Sequence, residues 1–436
     1  MGGVREIMNK KLFLFFLLIV LFLSLGTLVY ASDYRSEVKV GLKYGSGSGN
    51  SVTVSSPIGL TVFDATVGTI LYTSQPQEEV FIQMGSTGFA AFDKFDASSI
   101  TKISVQVEQG GVIACDGKTY RGYIYIERTE AGELLVINYV GTDDYVTSVL
   151  GKEMSYTWPI EALKAQAVCA RNFVLYRGNA HQSYGFDVCP TTHCQVYGGV
   201  SSEHANTRQA VEETKGILAT HKGEIVALYF FATSGGQTEN VENVWGSAYD
   251  YLSSVPDTYE NPDKASRYNW TTTVTRDAVE AKLLSAGVDI GTLEEIIIDE
   301  ITETGRVTKM TFYGSKDSYT VKREKCRTIL GLYSQKFSVS PDIELSLETT
   351  SGAAGSPFYA ISANGIEELS GYSALSGDTG VCEIDMDLKG AESYTINGGG
   401  FGHGVGMSQW GARGMAENGF TYDQILHHYF TDIELG

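Results

Sequence analysis

The stretch LGKEMSYTWPIEALKAQAVCARNF, residues 150–173, predicts a loop followed by a helix near the middle of the chain. Pro159 suits the first position of a helix, because its fixed φ matches the helix and its missing N–H is not needed there. Apolar residues then recur at helical spacing as far as about Arg177, after which Gly178 and Asn179 end the pattern. The members of the apolar stripe are Ile160, Leu163, Ala167, Ala170 and Val174.

Three polar side chains, Lys164, Gln166 and Arg171, border this apolar stripe. Burying a charge is costly unless the charge is paired, so we expect these groups to contact a carboxylate or a bound polar substrate. Glu153, in the loop before the helix, is the nearest carboxylate of that kind. A structural ion pair between Glu161 and a basic residue explains the same spacing, and the sequence leaves both interpretations open.

Short runs of alternating apolar and polar residues, broken by glycine and serine, fill most of the remaining chain, and the run YRGYIYIERTEAGELLVINYV, residues 120–140, predicts a β-hairpin. With 49 Gly and only 8 Pro among 436 residues, the chain favours many short strands joined by glycine turns. We predict an α+β fold in which a strand-rich body carries a helical element beside a groove. The predicted parts are an N-terminal segment (1–31), a β-rich region (32–119), a core (120–250), a β-rich segment with an insertion (251–395) and a C-terminal Gly-rich motif with a helix that completes the core (396–436).

The N-terminal segment and the charge balance restrict the location and the partners of the protein. Lys10 and Lys11 precede the apolar run 12–29, and Val29-Tyr30-Ala31 resembles a signal-peptidase site. The run is also long enough to remain as a membrane anchor, and either outcome places the body outside the cytoplasm. A net charge of -20 without clustered Lys or Arg excludes nucleic acid as a natural partner.

Cysteine and histidine are concentrated in the stretch FDVCPTTHCQVYGG, residues 186–199, with His181 just upstream. Thiolate and imidazole are ligands that zinc prefers, so Cys189, His193 and Cys194 indicate a metal site. In an oxidising compartment a disulfide between the two cysteines is the alternative. A Cys/His nucleophilic pair is disfavoured because no oxyanion-stabilising motif accompanies it.

Two glycine-rich turns carry further polar candidates. The stretch GGGFGHGVGMSQWG, residues 398–411, lacks the Gly-Lys-Ser/Thr ending of a nucleotide loop. Such a density of glycine permits close approach of the backbone to a ligand, with His403 and Gln409 as hydrogen-bonding candidates and Trp410 as a stacking surface. Ser234 in ATSGGQTEN follows a predicted strand in a similar exposed turn, and we interpret it as a ligand donor.

Glu153 has the surroundings of a catalytic acid. Cleavage of a glycosidic bond needs a carboxylic acid whose pKa is raised by a partly apolar pocket, and Met154, Tyr156 and Trp158 supply apolar neighbours. Hydrolysis usually uses a second carboxylate, and the loop offers none within a few residues. This favours a reaction in which a hydroxyl of the substrate itself is the nucleophile.

From about Tyr120 to its C-terminus the chain resembles the SpoIID/LytB family of sporulation lytic transglycosylases and amidase enhancers. The resemblance rests on YRGYIYI, Glu153-Met154 with PIEALKAQAVCAR, TTHCQVYGG, ATSGGQTENVENVWG and GFGHGVGMSQWGARGMA in this order. It implies that Glu153 cleaves the bond between N-acetylmuramic acid and N-acetylglucosamine in peptide-free peptidoglycan strands, leaving 1,6-anhydro ends. It further implies that Lys164, Gln166 and Arg171 order the acid and the sugar, and that Ser234, His403 and Gln409 bind substrate.

The resemblance also implies a structural zinc held by His181, Cys189 and Cys194, no organic cofactor, and an amidase that strips peptides as functional partner. His193 remains the alternative histidine ligand. A sporulation or wall-remodelling role outside the cytoplasm follows from the family, with membrane contact only through the N-terminal segment. Two rival interpretations are a non-catalytic wall-binding amidase enhancer and a zinc-dependent hydrolase.

Overall fold

The computed structural model describes residues 36–91, 94–178, 180–342 and 391–436, together with the backbone of 373–377 and 380–384. The predicted export segment 1–31 and most of the Gly/Ser-rich stretch 341–390 lie outside the described residues. Within the described ranges, the helices are too short or too polar to cross a bilayer.

The N-terminal part folds into two six-stranded antiparallel sheets. Their strands are β1 Glu37–Lys43, β2 Ser51–Ser55, β3 Thr61–Asp64, β4 Ile70–Thr73, β5 Val80–Met84, β6 Phe89–Ala91, β7 Phe95–Ala97, β8 Lys102–Gln106, β9 Ile113–Cys115, β10 Lys118–Tyr120, β11 Tyr123–Arg128 and β12 Leu134–Gly141. The first sheet has the order β1-β12-β11-β8-β3-β4, and the second has the order β10-β9-β2-β5-β6-β7. Alternate residues such as Val38, Val40 and Ile124 are fully buried in a shared apolar core.

The hairpin predicted within residues 120–140 is confirmed as the pair β11–β12. It belongs to the N-terminal sheet, because β11 also pairs with β8 and β12 with β1. Gly122 precedes the hairpin with φ +76°, and a Cβ at this position would lie 1.9 Å from the Tyr139 carbonyl oxygen. Only glycine allows the chain to turn this close to the neighbouring strand.

A helical layer follows the sheets directly. The helices are α1 Thr142–Glu153, α2 Ile160–Arg177, α3 Ala205–Glu213, α4 Val241–Trp245, α5 Arg276–Ser285, α6 Lys325–Thr328, α7 Gln409–Glu417 and α8 Tyr422–Tyr429. The predicted helix after Pro159 is confirmed as α2, with Pro159 as its N-cap. Helices α1, α3, α7 and α8 all pack against α2, so its buried residues form no single stripe. A helix in this central position must place its polar side chains inside the protein.

The later strands include several short pairs and a second apolar cluster. They are β13 Ala219–His221, β14 Glu224–Ile225, β15 Phe230–Phe231, β16 Asn269–Thr275, β17 Leu293–Ile301, β18 Val307–Gly314, β19 Ser318–Lys322, β20 Phe337–Asp342, β21 Ser373–Gly377, β22 Gly380–Ile384, β23 Ser393–Gly399, β24 Met407–Ser408 and β25 Glu434–Leu435. The sheets β16-β23-β20 and β17-β18-β19 enclose a core separate from the first, which includes Val279, Phe312 and Ile396. The predicted α+β class is confirmed.

Candidate functional site

Glu153 was predicted in a loop, but it is the last residue of α1, at the point where the chain leaves the helix. Met154 takes an extended conformation and is buried, so its side chain anchors the chain where the helix ends. A short turn over residues 155–158 then leads to Pro159 and α2. This turn leaves the Glu153 side chain partly exposed between the two helices. The local sequence therefore places a carboxyl group where it is half-buried yet accessible.

The Glu153 carboxyl group is surrounded by neutral partners. Burial raises the pKa of Glu153, and hydrogen bonds from the Gln409 side chain and the Val196 backbone N–H offset this only in part. Gln409 Nε2 donates to Glu153 Oε2 over 3.4 Å. The raised pKa keeps more of the acid protonated as the pH rises toward neutrality, which is the state that a proton donor needs.

Gln409 reaches Glu153 because the Gly-rich C-terminal motif folds into a strand and a helix start. Strand β24 pairs in parallel with β15, and α7 begins at Gln409 directly after it. Ser408 caps α7 by accepting a hydrogen bond from the Gly411 N–H over 3.2 Å. The Ser408 hydroxyl also donates to the buried carboxylate of Glu260. Residues 256 positions apart in sequence thus meet at one site.

Aromatic rings from both segments lie next to this contact. The ring centroids of Trp158 and Trp410 are 4.9 Å apart, and the Arg413 guanidinium lies 5.2 Å and 4.8 Å from them. On the other side of the loop, Tyr156 stacks on His204 at 3.9 Å. Trp158 and Trp410 are both partly exposed, and an indole face suits the apolar face of a sugar ring, so this pair extends the site beyond the acid. Trp410, predicted from the sequence as a stacking surface, therefore packs against Trp158 next to the Glu153–Gln409 contact.

The three polar residues of α2 do not contact Glu153 through any of their hydrogen bonds or ion pairs. Lys164 pairs with Glu161 and with Glu213, so the structural ion pair at Glu161 is the one found. Arg171 is fully buried and donates to Asp143 at 3.2 Å, with further hydrogen bonds to backbone carbonyl oxygens. Gln166 is also fully buried. The expectation that Gln166 and Arg171 touch substrate is corrected, because neither is accessible to it.

Ser234 and His403 also differ from their predicted surroundings. Ser234 is fully buried, and its hydroxyl accepts a hydrogen bond from the Gly236 N–H. The predicted exposed turn is wrong at this residue, because the turn packs beneath Gly400. His403 lies among aromatic rings, including Trp245 at 5.0 Å, and burial lowers the pKa of His403 to about 4. It is therefore a neutral imidazole that supports the glycine-rich turn by accepting a hydrogen bond from the Val405 N–H.

Two buried acids behind α7, Asp257 and Glu260, were not predicted from the sequence. Glu260 accepts hydrogen bonds from the Ser234 and Gly235 N–H groups and from Ser408. Burial, together with the charge of Glu260, raises the pKa of Asp257 to about 7. Glu260 supports the turn that positions Gln409, and Asp257 lies against Gly411 in α7. No periodicity or motif marks them in the sequence, because their role depends on contacts between segments that are far apart.

Four metal-ligating side chains converge between the sheets and α2. The ligand atoms of His181, Cys189, His193 and Cys194 lie within 4.8 Å of one another. Cys194 Sγ is 3.4 Å from His181 Nε2 and 3.4 Å from His193 Nδ1. Cys189 and Cys194 are free thiols, not a disulfide. The donor set contains both histidines that the sequence offered as alternatives.

Comparison with known proteins matches these features to one family. The sequence model described as stage II sporulation protein, SpoIID, matches residues 130–221, which include Glu153 and the four metal-ligating residues. An uncharacterized protein of Brachyspira hyodysenteriae is 33% identical over 69% of this chain and 68% of its own length. The amidase enhancer of Bacillus subtilis is 30% identical over 74% of this chain, which spans 45% of that protein. Stage II sporulation protein D of Bacillus subtilis is 29% identical over 67% of this chain and 74% of its own length.

Proposed function

Because the chain belongs to the stage II sporulation protein D family, we propose that it is a lytic transglycosylase of peptide-free peptidoglycan strands. The observation that carries the proposal is the contact between Glu153 and Gln409. It places one half-buried carboxyl group, with a raised pKa and neutral hydrogen-bond partners, beside two partly exposed indole rings. This combination supports proton transfer to and from a sugar.

In the proposed reaction, Glu153 acts first as an acid and then as a base. Protonated Glu153 donates its proton to the oxygen that bridges C1 of N-acetylmuramic acid and N-acetylglucosamine, and the C1–O bond breaks. The C6 hydroxyl oxygen of the same muramyl residue then bonds to C1, and its proton passes to the Glu153 carboxylate. The products are a 1,6-anhydro end and a new hydroxyl end, and the enzyme regains its starting protonation state. No water is consumed.

Gln409 and the indole pair have separate roles in this scheme. The Gln409 amide donates to Glu153 Oε2, which orients the carboxyl group. Trp158 and Trp410 supply apolar surface for a sugar ring, and their contact with Arg413 fixes their orientation. All three groups act on the substrate or on the acid, whereas Lys164 and Arg171 stabilise the helix behind them.

We further propose that the His181, Cys189, His193 and Cys194 cluster holds a structural zinc ion. Two thiols and two imidazoles supply four ligand atoms within 4.8 Å of one another, and four protein ligands would suit a structural zinc ion with no open coordination position. The metal would fix the loop between α2 and the sheet edge. The test is metal analysis of the purified protein, with one zinc per chain expected. Retention of full zinc by a Cys189→Ser, Cys194→Ser double variant would contradict this assignment.

We also propose that the protein is exported and that it works together with an amidase. The basic residues and apolar run at the N-terminus support export, with the body facing the cell wall. An amidase that removes stem peptides would supply the peptide-free strands. The similarity to the Bacillus subtilis amidase enhancer supports a functional link to such an enzyme.

The deciding experiment incubates residues 32–436 with peptide-free glycan strands and identifies the new ends by mass spectrometry. We expect anhydro-muramyl ends from the wild type and from Glu303→Gln, a control in an exposed turn. Glu153→Gln should release none. The competing function is amidase enhancement without cleavage, which the resemblance to the amidase enhancer favours. Stimulation of an amidase by both wild type and Glu153→Gln, with no anhydro products from either, would support that alternative.

A further inference from the structure

Arg413 lies on α7 one helical turn after Gln409. Residues four apart share one face of a helix, and the Arg413 Cα lies about 6 Å beyond that of Gln409 along the helix axis. Gln409 contacts Glu153, and the Arg413 side chain is 23% exposed. The helix therefore places a positive charge at about the distance of one sugar ring from the proposed catalytic acid.

The indole pair holds the Arg413 guanidinium and leaves one of its edges open. The guanidinium carbon lies over the Trp158 and Trp410 rings, at 5.2 Å and 4.8 Å from their centroids. A guanidinium is planar, and its five N–H donors point outward in that plane. Nε donates to Glu417 over 2.7 Å, and within the described ranges neither Nη group has a hydrogen-bond partner. The edge formed by the two Nη groups can therefore receive a ligand.

The ion pair with Glu417 does not satisfy Arg413 in the way that Asp143 satisfies Arg171. Arg171 uses all three of its nitrogens inside the protein. Glu417 is exposed, and it follows Arg413 by four residues, which is the less favourable order for an ion pair on a helix. Exposed pairs of this kind contribute little to stability. A ligand can therefore share the Arg413 guanidinium with Glu417.

A carboxylate is the ligand that an open guanidinium edge binds best, because its two oxygens match two parallel N–H donors. Removal of the stem peptide converts the lactyl amide of each muramyl residue into a free carboxylate. A peptide-free strand thus carries one negative charge per disaccharide, which is a far lower charge density than that of nucleic acid. One well-placed guanidinium can match this charge without clustered Lys or Arg.

We propose that Arg413 binds the lactyl carboxylate of the N-acetylmuramic acid residue that is cleaved, and that it makes the site prefer peptide-free strands. The identity of the sugar rests on the proposed function, whereas the preference for a carboxylate rests on Arg413 itself. The indoles pack on the sugar ring, and the open edge of Arg413 holds the carboxylate, which orients C1 toward Glu153. A stem peptide replaces the carboxylate by a neutral amide, which loses the two-point contact.

The test compares two substrates that differ only at the lactyl group. They are peptide-free strands and the same strands after conversion of the lactyl carboxylates to primary amides, with kcat/KM measured from the release of anhydro-muramyl ends. Wild type should prefer the carboxylate form by about tenfold, the effect of one charged hydrogen-bonded contact, and Arg413→Gln should lose this preference. Arg413→Lys keeps the charge without the planar edge and should retain part of it.

The matched control is Lys316→Gln, which removes one positive charge from an exposed ion pair between β18 and β19. This variant should keep the wild-type preference, because Lys316 belongs to the sheet of the separate core. Equal loss of preference in Lys316→Gln and Arg413→Gln would show that net charge, and not the position of Arg413, sets the preference.

Two further results would overturn the inference. The first is a wild type that cleaves both substrates equally well. The second is an Arg413→Gln variant that loses the same fraction of kcat/KM on both, because Arg413 would then only hold the indoles. Failure of the proposed function looks different, since wild type would release no anhydro ends from either substrate. Calorimetry with the Glu153→Gln protein would then still decide whether the carboxylate strands bind more tightly and whether adding Arg413→Gln removes the difference.

Discussion

Glu153 and Arg171 lie in the same short stretch of sequence, yet their surroundings differ in every respect that matters for chemistry. Glu153 is half-buried, has neutral partners and lies next to the partly exposed indole rings of Trp158 and Trp410. Arg171 is fully buried and is paired with Asp143 and with backbone carbonyl oxygens. A charge whose partners are complete stabilises the fold, whereas an acid without a charged partner remains available for proton transfer.

The largest expected effect is on catalysis. Glu153→Gln removes the proton donor and should lower the cleavage rate by about 10²–10⁴-fold. Burial raises the pKa of Glu153, so its ionised form destabilises the fold once the pH rises through that pKa. The amide is neutral at every pH, and stability at neutral pH should be equal or higher. Rate assays and urea denaturation of the same preparation check both effects. A stable Glu153→Gln variant that cleaves at the wild-type rate would show that Glu153 is not the catalytic acid.

Arg171→Met should produce the opposite pattern. The substitution removes this cation from Asp143 and one donor from each of two backbone carbonyl oxygens, at a cost of about 3 kcal/mol in the free energy of unfolding. The cleavage rate of the folded fraction should change little. Urea denaturation measures the loss of unfolding free energy. The control is Lys316→Met, which removes an exposed ion pair and should lower the free energy of unfolding by less than about 1 kcal/mol. If Arg171→Met and Lys316→Met lower the free energy of unfolding equally, the burial of Arg171 does not make its ion pair more important for stability than an exposed one.

Metal removal tests whether the cysteine–histidine cluster stabilises the fold, as Arg171 does, or takes part in the chemistry, as Glu153 does. If the ion is structural, chelation should lower the melting temperature by about 5–10 °C and leave the chemical nature of the product ends unchanged. Calorimetric melting and mass spectrometry of the products follow the two effects. Cleavage that stops immediately on chelation, before any loss of folded protein, would place the metal in the chemistry beside Glu153.

The smallest effect concerns the pH dependence. Gln409→Leu removes a hydrogen bond that lowers the pKa of Glu153, so this pKa should rise further. Because the reaction starts from the protonated acid, the pH above which the rate falls should move upward. The pH profile of kcat for the variant and the wild type measures the shift. A downward movement of this limb would mean that Gln409 does not act on the ionised carboxylate.

The sequence predicted α2, the β11–β12 hairpin and the α+β class, because each depends on local spacing and turn residues. It also identified Glu153 and Gln409, but not their contact, which forms across 256 positions. The role of α2 was misjudged for a physical reason. A helix surrounded by four others buries its polar side chains, and spacing alone cannot distinguish such a helix from one that borders a ligand. Glu260 and Asp143 were missed because their partners come from distant segments.

The most direct test of a single acid that works without water is cleavage in water enriched in oxygen-18. The account predicts that wild type releases 1,6-anhydro-muramyl ends that contain no label, because the new bond to C1 comes from the C6 hydroxyl of the same sugar. New muramyl reducing ends that form at the rate of cleavage in place of anhydro ends would show that water is the nucleophile, and they would contradict the proposed mechanism.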